Sequence, residues 1–313
     1  MKRSEQPPHP LDGAANSARG DLEMSFGPFG EVVMPADAKP PILTASVRAA
    51  LHQWMHEINA RDALQAVGLK PRQRCLLSGP PGCGKTTLAH HICARLGMPL
   101  LVVQSHELLS KYVNQSGEQI GKLFRHARRA RPPIALFFDE FDAMAKSREG
   151  MSGQAADNER ANITIALLQE FDRFDGLLFA ATNVTQAIDA AIWRRFDMQI
   201  EIGMPGPAER FAIVKLYLDP YGAEDDTVSA IAEAMTGASP ALIRQACETI
   251  KRSMVLGGKI GLPTDLPAIM ERFSASASVA DGQQEPLLWT DTTTALHRLR
   301  AVPWPPAAPG GKP

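Results

Sequence analysis

The chain has 313 residues, 44% of them hydrophobic and 21% charged, enough apolar material for one large folded body or two smaller ones. Its 33 Lys and Arg against 34 Asp and Glu give a formal net charge of −1, so no global field draws it to nucleic acid or an anionic membrane, and any such partner must be met by a local patch. Cys75, Cys83, Cys93 and Cys247 form no CxxC pair, no apolar run follows the basic N-terminus, and no stretch of about 18 apolar residues occurs, which excludes a disulfide scaffold and a helical membrane span and predicts a cytoplasmic location.

In chain order, residues 1–40 are rich in Pro, Gly, Ala and polar residues and read as a flexible N-terminal tail. The first helix is expected in "SVRAALHQWMHEINA", where Val47, Leu51, Trp54, Met55 and Ile58 repeat at helical spacing. From Cys75 the text changes to five short apolar runs separated by helical stretches: "CLLSG", "PLLVVQ", "IALFFDE", "LLFAATN" and "MQIEIGM". Strands apolar on both faces and alternating with helices predict a parallel sheet covered on both sides, an α/β three-layer domain over 41–205. After Pro205 the strand signals stop, and "PAERFAIVKLYL", "TVSAIAEAM", "SPALIRQACETIKRSMV" and "LPAIMERF" predict a small all-helical domain over 206–275. Residues 276–313 end in "AVPWPPAAPGGKP" and read as a Pro-rich C-terminal tail.

Chemistry enters at "GPPGCGKTT", Gly79, Pro80, Pro81, Gly82, Cys83, Gly84, Lys85, Thr86 and Thr87, between a strand and a helix. G-x-x-x-x-G-K-[ST] in that setting turns successive backbone N–H groups toward phosphate oxygens at the positive end of a helix. Lys85 would reach the terminal phosphates and Thr86 would hold Mg²⁺. "IALFFDEFD" ends a buried strand in Asp139, a second Mg²⁺ ligand, and Glu140, placed to take a proton from the attacking water. "LLFAATN" ends in Asn183, whose amide would meet the γ-phosphate or position the water, although a cap or an Asx turn is the plainer role for such an Asn. Arg194 and Arg195 in "AIWRRFDMQIEI" fit either a solvated face or guanidinium groups supplied in trans to the developing phosphoryl charge, which requires an oligomer.

These residues carry a family resemblance. From about Ala50 to about Phe273 the chain resembles the AAA family of AAA+ ATPases: "GPPGCGKT" looks like its Walker A, "ALFFDE" its Walker B, "AATN" its sensor 1 and "AIDAAIWRRFD" its second region of homology with the arginine fingers. The resemblance implies a P-loop domain with sheet order 5-1-4-3-2, a helical lid, ATP bound where subunits meet, and a homo-oligomer, usually a hexameric ring. "TGASPALIRQA" resembles the lid element "GxSGADI", with Pro240 for Gly, Leu242 for an acid and Ala241 matching, while Arg244 one turn later is a sensor arginine or a surface residue. Glu159 and Arg160 fall where the family has a second pore loop and subunit contacts. In "LLSKYVNQSG", Lys111, Tyr112 and Val113 stand in the place of the first pore loop, with Asn114 where Gly is usual. An aromatic there would hold varied side chains of a polypeptide client without requiring a sequence.

The resemblance thus implies a protein-remodelling or unfolding ATPase that uses ATP and Mg²⁺. The wording is similar to stand-alone bacterial AAA ATPases, some of which are paired with subtilisin-like proteases, which leaves a place for a separate protease or adaptor. The chain has no HExxH and no GxSxG of its own. Two alternatives stay open. One is a nucleic-acid accessory or loader, for which Lys122, Arg125, Arg128, Arg129 and Arg131 offer charge but no stacking platform. The other is a nucleotide-dependent switch acting through the tails.

Overall fold

The computed structural model describes residues 19–108, 116–145, 154–185, 188–279 and 284–305, with the backbone alone at 106, 107, 145, 154–161 and 220. The described residues divide into two compact units, one within Met1–Pro41, Ala50–Ser78 and Lys85–Glu201, the other within Ile42–Ala49, Gly79–Gly84 and Ile202–Pro313.

The first unit is built on a six-stranded sheet: β1 Gly30–Val33, β2 Arg74–Ser78, β3 Leu100–Val103, β4 Ala135–Phe138, β5 Leu178–Thr182 and β6 Met198–Glu201. The strand order is β1-β3-β4-β5-β2-β6. The five strands expected from the apolar runs are all parallel, and numbered from β2 they stand in the order 5-1-4-3-2. Every residue of β4 and β5 is buried, as a strand covered on both faces requires. The correction is at the edge: β1 adds a sixth strand, antiparallel to β3, from the region read as a flexible tail. Leu22, Phe26, Phe29 and Val32 are buried in the main core, so these few large side chains fasten a segment whose average composition suggested disorder.

Helices α1 Ala45–Asn59, α2 Lys85–Arg95, α3 Ser116–Arg129 and α4 Gln154–Arg173 follow the expected pattern, and α3 packs along α4. In α1, Leu51 and Trp54 are the buried pair. The Trp54 indole N–H donates to the Arg72 carbonyl at 2.8 Å, and its ring meets Phe179 edge-on at 5.7 Å. Glu57, on the same helix, accepts from the Arg72 backbone N–H at 2.8 Å and from its Nε at 2.9 Å. That pairing, rather than burial, holds the Glu57 carboxyl below the usual carboxylate range.

The second unit contains the four expected helices, α5 Pro207–Leu218, α6 Asp225–Ala234, α7 Pro240–Ile260 and α8 Leu266–Ser276. Pro240 departs from the family's glycine at no cost, because it opens α7 at a position whose N–H has no helical partner, behind a Ser239 cap that accepts from Leu242 N–H. Two further helices lie beyond the boundary at 275: α9 Leu287–Thr290 and α10 Thr292–Arg300. Leu288, Ala295, Leu296 and Leu299 are buried with α5 to α8, and the Trp304 indole N–H donates to the Thr264 carbonyl at 2.7 Å. The described part of the segment read as a Pro-rich tail therefore packs into this unit's core, from Leu287 to Trp304.

Arg210 is an unexpected core residue, 8% exposed. Its guanidinium donates to the carbonyls of Ala232 at 2.9 Å and Pro205 at 3.0 Å and to the Thr236 hydroxyl at 3.0 Å, satisfying a helix end from inside. Burial without a paired carboxylate holds it below its ordinary pKa.

Candidate nucleotide site

The loop after β2 has a backbone shape that favours glycine at three points. Gly79, Gly82 and Gly84 hold φ of +140°, +77° and +89°, and at the first two the space is closed as well. A Cβ at Gly79 would collide with the Ile202 carbonyl, and one at Gly82 would lie 3.0 Å from Ala241 Cβ and 3.1 Å from Ser239 Oγ. The Gly82 carbonyl accepts from Ala241 N–H at 3.2 Å, so the lid residue that matches the family element is hydrogen-bonded to the loop itself. Cys83 is buried, with its sulfur 3.7 Å from that of Met204.

Within the sheet unit, four expected residues meet by direct hydrogen bonds at the ends of their elements. Lys85 opens α2, is 8% exposed, and donates to Asn183 Oδ1 at 2.7 Å just past β5. Thr86 donates to Asp139 Oδ2 at 3.0 Å just past β4. The other Asp139 oxygen accepts from Glu140 N–H at 2.9 Å, and the Asp139 carbonyl accepts from the Ser105 hydroxyl at 2.9 Å. Ser105 was not singled out in the sequence, where a serine after a strand carries no signal. All of this lies at the carboxyl ends of parallel strands, where such sheets bind ligands.

Glu140 is exposed and has φ of +48°, the one positive φ outside glycine among the described residues. A side chain other than Gly, Asn or Asp in that region is strained, and such strain concentrates at functional positions. The donor set suits a magnesium nucleotide. An ammonium beside a hydroxyl and a carboxylate matches terminal phosphates and a hard cation that takes one or two protein oxygens and fills its shell with phosphate and water. Among the described residues, no group of three His, Cys, Asp or Glu side chains is placed to form a separate metal centre.

The arginine pair divides. Asp189 caps the short helix Ala190–Trp193 that carries it, accepting from Ala191 N–H at 2.8 Å. Arg195 is held twice by Asp172, Nε to Oδ1 and Nη2 to Oδ2, both at 3.2 Å, and also donates to the Ala191 carbonyl. The Arg195 hydrogen bond holds the Asp172 carboxyl below the usual range, and Asp172 in turn raises Arg195. Arg194 is exposed and, among the described residues, takes no ion-pair partner. The neighbours of Glu140, Asp172 and Arg195 in sequence, Phe141, Phe171 and Phe196, pack ring on ring with centroids 5.8 to 6.1 Å apart. Asp172 and Phe171 belong to no motif, and Phe141 and Phe196, though inside the acidic and arginine motifs, carry no sequence signal that the three rings meet.

Arg244 pairs loosely with Glu248 on its own helix at 3.6 Å and lines a cleft of about 330 Å³ with Pro81, Gly82, Ser239 and Gln245. Of the basic segment, Lys122 is paired with Glu118 and Arg128 with Glu170. Lys111, Tyr112, Val113 and Asn114 lie outside the described residues, and Glu159 and Arg160 are described by backbone alone.

Residues 75–204 match the family described as the ATPase family associated with various cellular activities, AAA. Residues 75–204 thus form an AAA ATPase domain. The match begins inside β2 and ends just past β6, so it takes in the phosphate loop, the acidic strand end and the arginine pair. The AAA family ATPase y4kL of Sinorhizobium fredii is 37% identical over 219 residues, 69% of this chain and 64% of that protein. The 26S proteasome regulatory subunit 10B homolog A of Arabidopsis thaliana is 36% identical over 182 residues, 55% of this chain and 45% of that protein. The ATPase family gene 2 protein of Saccharomyces cerevisiae is 34% identical over 199 residues, 61% of this chain and 25% of that protein. The chain spans less than two thirds of the length of each of these relatives. No helix among its described residues is long and apolar enough to cross a membrane.

Proposed function

We propose that this AAA chain is a Mg²⁺-dependent ATPase that remodels or unfolds polypeptides as a homo-oligomer, a hexameric ring, in the cytoplasm. The observation that carries the reading is the pair of contacts Lys85–Asn183 and Thr86–Asp139, which set a cation, a hydroxyl, a carboxylate and an amide at one sheet edge. Bound Mg²⁺ supplies charge neutralisation at the phosphates, held by Thr86 and Asp139. The N–H groups of the Gly79–Gly84 loop cradle phosphate oxygens, and Lys85 gives up Asn183 for the terminal ones. The freed Asn183 amide orients the attacking water, and the Glu140 carboxylate accepts its proton. Arg194, exposed and unpaired with any described carboxylate, acts in trans on the neighbouring subunit's nucleotide, with Arg195 beside it. Arg244, on the wall of the cleft beside Gly82, serves as the sensor arginine of the lid.

A polypeptide client is favoured by the proteasome regulatory subunit among the relatives and by Tyr112 in the pore-loop position, where Lys111, Tyr112 and Val113 form the grip. A separate protease or adaptor would complete the system. The test is a substrate trap: Glu140→Gln protein binds ATP, fails to hydrolyse it, and is recovered from cells with its client. Polypeptide is the expected capture; nucleic acid in its place would overturn remodelling in favour of a loader or accessory role, and full turnover by Glu140→Gln would overturn the site.

A further inference from the structure

Helix α1 turns Leu51 and Trp54 inward, and its 3.6-residue period carries His52 and His56 to an exposed side, one turn apart. The two imidazoles meet tip to tip: Nε2 to Nε2 is 3.2 Å, with ring centroids 4.4 Å apart and planes inclined at 71°. In the neutral pair one Nε2–H donates to the other ring. When both protons sit on Nδ1, two lone pairs face one point. Nitrogens 3.2 Å apart, each at a metal–nitrogen bond length of about 2.0–2.1 Å, subtend about 100° at the ion, between the tetrahedral and octahedral angles.

We propose that His52 and His56 form a bidentate surface site for a divalent transition metal of the imidazole-binding class, Zn²⁺, Ni²⁺ or Cu²⁺, with water completing its shell. Loading needs only a shift of one ring proton from Nε2 to Nδ1 through solvent, so the neutral pair releases no net proton. The frame is already rigid: Trp54 and Glu57, on the same turns, are fixed to Arg72, so neither ligand has to be carried into place. Glu57 is committed to that arginine and is not a third ligand. The nucleotide's cation does not compete, because Mg²⁺ selects oxygen ligands and two neutral imidazoles select the later transition metals. A bound ion clips one turn of the helix that leads into the ATPase sheet.

The test is titration of the full chain with Cu²⁺, followed by electron paramagnetic resonance. Wild type is expected to show a site with hyperfine coupling to two imidazole nitrogens. His52→Ala and His56→Ala should each reduce it to one nitrogen and weaken binding about 100-fold, the gain normally lost when two ligands in one frame become one. ATP turnover in the absence of Cu²⁺ stays at the wild-type level in both variants, which separates failure of this site from failure of the ATPase reading. Unchanged Cu²⁺ affinity in the double variant, or one-nitrogen coupling in wild type, would overturn the proposal.

Discussion

Asp172 does for Arg195 what no motif records: its two oxygens grip the guanidinium and fix the backbone on which Arg194 projects. An arginine acting on a developing phosphoryl charge contributes about 10³-fold or more, and its loss through Arg194→Ala should fall in that range. Asp172→Ala leaves both arginines present but unbraced, so a smaller loss is expected, about tenfold in turnover, equivalent to about 1.4 kcal/mol. The measurement is steady-state ATP hydrolysis across pH. Because Arg195 lowers the Asp172 pKa, the brace is complete above the ordinary carboxylate value of about 3.9 and is lost only as pH falls through the lower folded value. Wild type and Asp172→Ala should therefore keep a constant ratio from pH 6 to 8, and a ratio that changes across that range would count against the brace. Lys85, Thr86, Asp139 and Asn183 were legible in the sequence because chain spacing alone carries them to the ends of neighbouring parallel strands. Asp172, Ser105 and Arg210 were not, because each lies outside any motif and its role shows only in the partner that the fold brings to it.

The elements show the same division. The five parallel strands were readable because burial on both faces leaves near-continuous apolar runs, and α5 to α8 because each carries a helical stripe. Strand β1 and helices α9 and α10 were missed because they are short, flanked by Pro and Gly, and held by a handful of large side chains that compositional averaging dilutes. The C-terminal helices give a direct check. Leu299 is 1% exposed and packs with the core of the helical unit. Leu299→Ala should destabilise that unit by about 2–5 kcal/mol, as Leu→Ala does at buried positions. Thermal unfolding followed by circular dichroism measures it; a melting temperature equal to wild type would mean that the segment behaves as the tail its composition suggested.

At the scale of the whole molecule, the proposed action of Arg194 in trans predicts a dependence between copies of the chain. If Arg194 serves a neighbour, a subunit with an intact loop but no arginine can still hydrolyse ATP beside a subunit that supplies one, and a subunit with Lys85→Ala can still supply its arginine. Mixed, Arg194→Ala and Lys85→Ala proteins should therefore regain turnover that neither has alone, with a maximum near equal proportions. In a ring that assembles at random, each productive interface needs an intact loop facing an intact arginine, and at equal mixing about one interface in four meets that condition. Recovery to roughly a quarter of wild-type turnover is the expected ceiling, reduced further if neighbouring sites must fire together. If Arg194 acted within its own chain, the two defects would stay separate and activity would remain at the level of the single variants at every ratio. The aromatic triad of Phe141, Phe171 and Phe196 supplies a physical route for a shortfall below that ceiling, because it packs the strand end that carries Glu140 against the segment that carries the arginines. Phe171→Leu keeps that volume apolar but removes the ring contacts, and should raise recovery in the mixture toward the random value if the triad is what makes neighbouring sites depend on one another.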